Sequence, residues 1–545
     1  MKYFRYISFI LFILSSSSGV AQSWKWVQRG GGPGYDDYWG ITLSRNKACL
    51  YSTGPFEQTI AIGLNTLTSF GNNDVVIAKY DTSGNVLWAK HAGGGPGFDS
   101  GTSICEDDSS NIYVTGIFNG IAIFDNDTLR SQSSGNCSFL AKYDFNAHLV
   151  WIKQTSGTGT CFSNAVLIDK MGNIVIGGQY TDSILFGATT VVSQGLGDCF
   201  LAKYTPMGNL MWVETGGGAG DDAISGIAVD SANNIVCSGW FSQTAHFGSN
   251  VVTGGPNSHV LITKFSSAGI NLWADKSGGS GTSAGSWNSI DSQGNSYVVG
   301  SFSGTIQFDS TSITSSGSND IFIIKTDKDG LLKWVKRLGD TGNDMGYGIA
   351  TDNSGNSFIT GMFALAAPGQ QAGYTNFFVT KYDSSGAFKW LKLVSGKPNA
   401  NGRAASIVSD NCNNIYIGGD FTSICYFDSD SIQSAGNWDM CIAKLHDEAG
   451  FVNSVAEFSK SFQVNAFPNP FMNNLMLTIN GIQNQNVEIS LLNLLGQEFY
   501  SGIINSGYGN YSQISIPCNN LSSGTYLLKI RAATGAIKCL KLVKN

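Results

Sequence analysis

The sequence predicts an all-β protein: a seven-bladed β-propeller followed by a small C-terminal β-sandwich. Three observations carry that expectation. A Gly-x-aromatic signature recurs seven times at nearly constant spacing, an apolar strand ending in a Lys follows each copy, and both signals stop before Phe458. Short β-branched and aromatic runs bounded by Gly, Asp, Asn and Ser read as strands, and no helical period competes with them.

Composition sets the frame. Charged residues make up 13% of the 545, against roughly 25% in an average soluble domain, and Gly accounts for 68 of them. Aromatics at 12% supply a core, so the chain is not a disordered polar polymer. A net charge of −7 argues against nucleic-acid binding, which needs clustered Lys and Arg.

At the N-terminus Lys2 and Arg5 precede "ISFILFIL", and Gly19 and Ala21 suit cleavage after Ala21. Residues 1–21 are thus expected to be a signal peptide, its apolar stretch too short to span a bilayer. No later segment has ~18 apolar residues in a row, so no transmembrane segment is expected and the mature chain should be exported. Eleven cysteines are odd in number, lack a C-x-x-C, and fall at different points of the repeat. Cys199, Cys237 and Cys441 sit in apolar strand patterns and read as small buried hydrophobes.

The repeat occupies residues 22–454. Its signature aromatic is Phe56, Phe118, Tyr180, Phe241, Phe302, Phe363 and Phe421, at intervals of 62, 62, 61, 61, 61 and 58. A Gly stands two residues before each, from Gly54 to Gly419, where strands normally avoid it. This predicts a bulge or a close approach by a neighbouring element. The following strand carries Lys79, Lys142, Lys203, Lys264, Lys325, Lys381 and Lys444. A further one carries Trp88, Trp151, Trp212, Trp273, Trp334 and Trp390. Four strands per ~61 residues is the signature of propeller blades. In D-x-x-G-N, as in "DSQGNSYVVGSF", Asp opens a tight turn and Gly takes the φ > 0 position. A second short turn, as in "TDKDG", joins strands three and four. Both turns lie on one face, which leaves the longer connections on the other.

Seven sets of the first three strands meet only six of these Trp-bearing strands. The segment "SWKWVQRGGGPG" around Trp26 resembles a fourth strand without its first three. It is expected to complete blade seven, with closure by "GFVNSVAEF" (450–458) as the alternative. The run W…GGG…D…D-x-x-G-N-x-Y-V-x-G-x-F resembles the bacterial SBBP β-propeller repeat over about residues 24–454. That resemblance implies the fold and leaves the ligand open.

After a linker at 455–462, residues 463–545 lose the blade motif. Pro468-Asn469-Pro470-Phe471, Gly496 in "LLGQE", Gly524-Thr525-Tyr526 and the basic end with Lys541 resemble a type A C-terminal sorting domain of type IX secretion cargo. The resemblance implies the type IX secretion machinery as partner and a secreted or outer-membrane-surface location. About seven short alternating strands agree with a small β-sandwich.

Candidate chemistry is sparse. G-G-x-G-x-D occurs at Gly31–Asp36, Gly94–Asp99 and Gly217–Asp222, but not in the nine-residue tandem of calcium-binding rolls. These loops are read as Gly-rich links whose Asp caps a turn. With Asp344 they share a face with Asp74, Asp198, Asp320 and Asp439. The five histidines are scattered, and no nucleophile elbow, P-loop or H-E-x-x-H occurs. No metal, cofactor or catalytic set is expected. The expected function is binding or scaffolding toward an extracellular glycan or protein, the alternative being a polysaccharide-degrading hydrolase or lyase. The sixth repeat has only 18 residues from Phe363 to Lys381, against 23 or 24 elsewhere. That asymmetry predicts a ligand near blades five to seven, within reach of Asp344, Tyr374 and Asp439.

Overall fold

The computed structural model describes residues 22–132, 135–364, 375–397, 400–410 and 412–447 and, beyond them, 463–467, 472–480, 486–493, 498–505, 511–519, 521–532 and 537–544. Every regular element among them is a β-strand. Two compact units are present, Gln22–Asp447 and a second within Glu448–Asn545. Residues 1–21, the end of the expected propeller (448–454), the linker and the alternative closing segment lie outside the described residues.

The first unit contains seven antiparallel four-stranded sheets. Their innermost strands are Gly40–Leu43, Ser100–Glu106, Cys161–Ile168, Ala223–Val229, Thr282–Ile290, Met345–Thr351 and Gly402–Ser409. Each packs against the next, and the seventh packs against the first. A closed ring of seven follows.

Ring closure is made by the N-terminal strand. Blade seven consists of Gly402–Ser409, Asn414–Phe421, Asp439–His446 and Ser23–Gly31, with Trp26 opposite Lys444 and Gly30 opposite Met440. Trp24 is 7% exposed in the core that this blade shares with blade six, 4.9 Å edge-on from Phe427. Trp26 reaches across to blade one, donating its indole N–H to the Thr82 carbonyl at 3.0 Å.

The repeat residues hold blade to blade. Each repeat Gly lies against the innermost strand of its own blade or, for Gly54, the residues just ahead of it: a Cβ would come within 1.8 to 2.1 Å of a carbonyl oxygen at all seven positions. In blades two to seven the opposing strand also bulges at that point, so the expected bulge and close approach are one feature. The D-x-x-G-N turn closes on itself. Asp291 accepts the backbone N–H of Gln293 (2.9 Å) and Asn295 (3.0 Å), and the Asn295 side chain donates back at 2.8 Å.

The repeat Lys then ties this turn to the adjoining blade. Lys203 pairs with Asp169 at 2.7 Å and donates to the Ser267 carbonyl at 2.9 Å. Lys264 does the same with Asp230 and the Lys328 carbonyl, both at 2.8 Å. Burial alone would raise the Asp169 carboxyl; hydrogen bonds from Lys203 and Asn173 hold it below its ordinary value. In the second short turn, Gly330 (φ 89°) sits on the face of Trp273 from the preceding blade, and Gly84 sits likewise on Trp26. The N-terminal Trp therefore does for blade one what the other Trp residues do for their neighbours.

Most long connections between strands two and three are themselves hairpins that brace the preceding blade. Ser183–Phe186 pairs with Thr189–Val192 and with the end of Leu149–Gly157. The ten described cysteines are free; seven are buried, Cys199, Cys237 and Cys441 among them, as their apolar surroundings predict.

The second unit has sheets of three and four strands. Leu475, Leu477 and Ile516 of the first meet Val487, Ile489, Leu491, Leu528, Ile530 and Leu542 of the second in one core. Among the described residues, seven strands in two sheets form the sandwich. Gly524, Tyr526 and Lys541 lie on its paired strands Gly524–Ala532 and Ile537–Lys544, and the Tyr526 hydroxyl donates to the Ser522 carbonyl at 2.8 Å. Pro468, Asn469, Pro470 and Gly496 lie outside the described residues.

Candidate functional site

The bulges in the innermost strands have a second consequence. A bulge leaves one residue unpaired and turns its side chain out of the ladder. The residues so placed are Thr102, Asn164, Ser225, Ser286, Tyr347 and Ala405, each fourteen before its repeat Gly. In blade one Trp39 stands at the matching place, just ahead of the strand. All of these except Thr102 line one cavity of about 380 Å³, together with Asp37, Trp240, Trp287 and Arg403. Six blades contribute, which places the cavity on the propeller axis. Asp37, Trp39 and Arg403 stand at the starts of innermost strands and Trp240 at the end of a second strand, so it opens at the end that carries the longer connections.

Its walls are of two kinds. Trp39, Trp240 and Trp287 present three half-buried indoles. Across the ring from Trp240 and Trp287, and beside Trp39, stands a polar cluster built on Arg403. Its Nε donates to Asp420 Oδ1 at 2.7 Å, and its Nη2 donates to Asp37 Oδ2 at 2.8 Å and to the Tyr35 hydroxyl at 2.6 Å. The guanidinium also lies over the Trp438 ring, 5.9 Å from its centre. Burial pushes the Asp37 carboxyl up against the pull of Arg403, and burial together with neighbouring Asp37 pushes Asp420 well up. One oxygen of each, Asp37 Oδ1 and Asp420 Oδ2, makes no hydrogen bond of ordinary geometry within the chain. On the far wall the Trp240 indole donates to Asp221 Oδ2 at 3.2 Å, and Gln179 holds the other oxygen at 2.5 Å.

The residues expected from the sequence lie elsewhere. Asp344 is buried and accepts from the backbone N–H of Asp340 (2.8 Å) and Ala364 (2.9 Å). Asp439 is buried too, accepting from Ala435 N–H at 3.0 Å and paired with Arg29 at 3.1 Å. Neither lines the cavity, and a ligand would reach them only if their loops opened. Tyr374 lies outside the described residues. Asp36, Asp99 and Asp222 of the G-G-x-G-x-D loops are caps as well, accepting from Gly32, Gly94 and Gly218 N–H at 2.7 to 2.9 Å. Burial pushes each of these three carboxyls up to about 7. Among the described residues no group of three His, Cys, Asp or Glu side chains is placed to hold a metal ion.

Comparison with known proteins agrees with both units. Residues 465–545 match the secretion system C-terminal sorting domain and residues 333–362 match the beta-propeller repeat SBBP. The chain thus carries a type IX sorting tail on an exported propeller, bound for the cell surface or outer membrane. Among the described residues no helix is long and apolar enough to cross a membrane.

An uncharacterized WD repeat-containing protein of Acanthamoeba polyphaga mimivirus is 24% identical over 73% of this chain, and Regulatory protein FlaEY of Caulobacter vibrioides 24% over 60%. The chain matches only 35% and 37% of those relatives' lengths. Similar solved structures include an ulvan lyase (12% identity, TM-score 0.41, 73% of this chain and 93% of that one). The Dos1 propeller is another (8%, 0.38, 77% and 94%). At such scores neither assigns a residue or an activity here.

Proposed function

We propose that this exported propeller is a surface binding module that takes a saccharide in the channel mouth. The observation that carries the reading is the convergence of Trp39, Trp240 and Trp287 on one cavity with the hydrogen-bonding groups of Asp37 and Arg403, which stand beside the first indole and across from the other two. Sugar rings offer apolar C–H faces and polar edges, and such a wall pairing matches both at once. The volume suits one or two sugar units, within the ~300–1,000 Å³ of small-ligand pockets.

Binding is favoured over turnover because Asp37 is the one carboxylate among the described lining residues, and it is tied to Arg403. Glycoside hydrolysis uses two carboxyl groups roughly 5–10 Å apart across the bond. A glycan array probed with the mature chain tests the proposal: retention of a glycan family without release of reducing ends supports it. Cleavage of the retained glycan would instead make the protein an enzyme.

A further inference from the structure

We infer that the channel mouth, on the reading that it binds a saccharide, selects uncharged glycans rich in hydroxyl donors and excludes acidic ones, because Arg403 is already held by Asp37 and Asp420.

An arginine in a sugar site ordinarily reads as a receptor for uronate or sulfate, since its planar fork matches those anions. Here two of the three guanidinium nitrogens are taken. Nε and Nη2 serve Asp420, Asp37 and the Tyr35 hydroxyl, all within 2.8 Å, and the guanidinium rests over Trp438. Two carboxylates face one cation, and Arg403 is the one cation among the described lining residues. On the opposite wall the Trp240 indole N–H is likewise spent on a carboxylate, Asp221. An incoming anion would meet the Asp37 carboxylate on one wall, the Asp221 carboxylate behind Trp240 on the other, and no cation free of carboxylate partners.

What the site retains is an acceptor. Asp37 lines the cavity, and its Oδ1 makes no hydrogen bond of ordinary geometry within the chain. A buried acceptor left without a donor is costly, and a sugar hydroxyl is a donor of the right size. The same contact brings the apolar face of the ring onto the indoles.

The test uses the full mature chain on a panel of neutral oligosaccharides (from cellulose, mannan and laminarin) and acidic ones (from alginate, polygalacturonate and chondroitin sulfate). Affinities are measured by titration calorimetry at low and high salt. The expected result is binding confined to neutral members, at least tenfold tighter than any acidic one, about 1.4 kcal/mol, and insensitive to salt. In Asp37→Asn/Asp420→Asn the freed Arg403 should raise affinity for acidic members at least tenfold. Equal or tighter binding of an acidic member by the wild-type chain, weakened by salt, overturns the selectivity and leaves the saccharide reading standing. Absence of binding across the panel overturns both. If the double variant does not fold, the wild-type comparison and its salt dependence decide alone.

Discussion

Replacing Trp24 by Ala should cost about 3–5 kcal/mol of stability, the range for removing a buried Trp. The side chain is 7% exposed and packs edge-on against Phe427 in the core that blades six and seven share. It sits on a strand that reaches its partners only by closing the ring, through pairing with Asp439–His446. That strand is the outermost of blade seven, so its loosening leaves the hydrogen-bonding edge of Asp439–His446 unpaired. A loss of this size is a large share of the ~5–15 kcal/mol that stabilises a typical domain. The assay is urea denaturation followed by far-ultraviolet circular dichroism, with Val150→Ala as control. Val150 occupies an outer strand of blade two and is 53% exposed, and its truncation should change stability by no more than about 0.5 kcal/mol. If Trp24→Ala matches that control, the N-terminal strand does not close the ring, and a segment beyond Asp447 must.

Lys203→Met should cost about 3–5 kcal/mol in the same assay, because it leaves the fully buried Asp169 carboxylate without its 2.7 Å partner; Lys203→Met/Asp169→Asn should recover much of that loss. The carboxyls of Asp36, Asp99 and Asp222 titrate near 7 when folded but near 3.9 unfolded. Their folded-state pKa is raised, so the native state keeps protons that the unfolded state gives up. Stability present below about 4 is therefore lost as pH rises toward 7. The melting temperature should fall between pH 5 and pH 8, and Asp99→Asn should flatten that slope; a profile that rises over this range contradicts the assignment. Deleting residues 463–545 should leave a folded propeller in the periplasm, seen by fractionation and immunoblotting, whereas normal surface display of the truncated chain would show that the tail is not the sorting signal.

What could be read from the sequence follows from what the repeat constrains. Gly300 and its six counterparts recur because the same carbonyl lies against each of them, so a packing rule left a periodic mark. Lys264 and Asp230 recur because every blade needs the same clamp to its neighbour. Asp344 and Asp439 belong to this class, which explains both their regular spacing and their burial: they recur as loop caps. The channel mouth shows the opposite pattern. Fourteen or fifteen residues before the repeat Gly stand Trp39, Thr102, Asn164, Ser225, Ser286, Tyr347 and Ala405, with no common side chain. Just after that Gly stand Pro55, Ile117, Gln179, Trp240, Ser301, Met362 and Asp420. A scaffold position that faces a ligand is freed from the repeat, so variation between constant neighbours was the available signal. Arg403 and Asp37 carry no such mark, since their pairing joins the last blade to the first across 366 residues.

On the proposed reading, the three indoles at the channel mouth form the binding surface. Its most direct test is titration of an array-selected glycan into the wild-type chain and into Trp240→Ala/Trp287→Ala, with folding of the variant verified by its melting curve. Loss of at least tenfold in affinity, about 1.4 kcal/mol, is the predicted result. Unchanged affinity in a folded variant would place the binding surface elsewhere on the propeller.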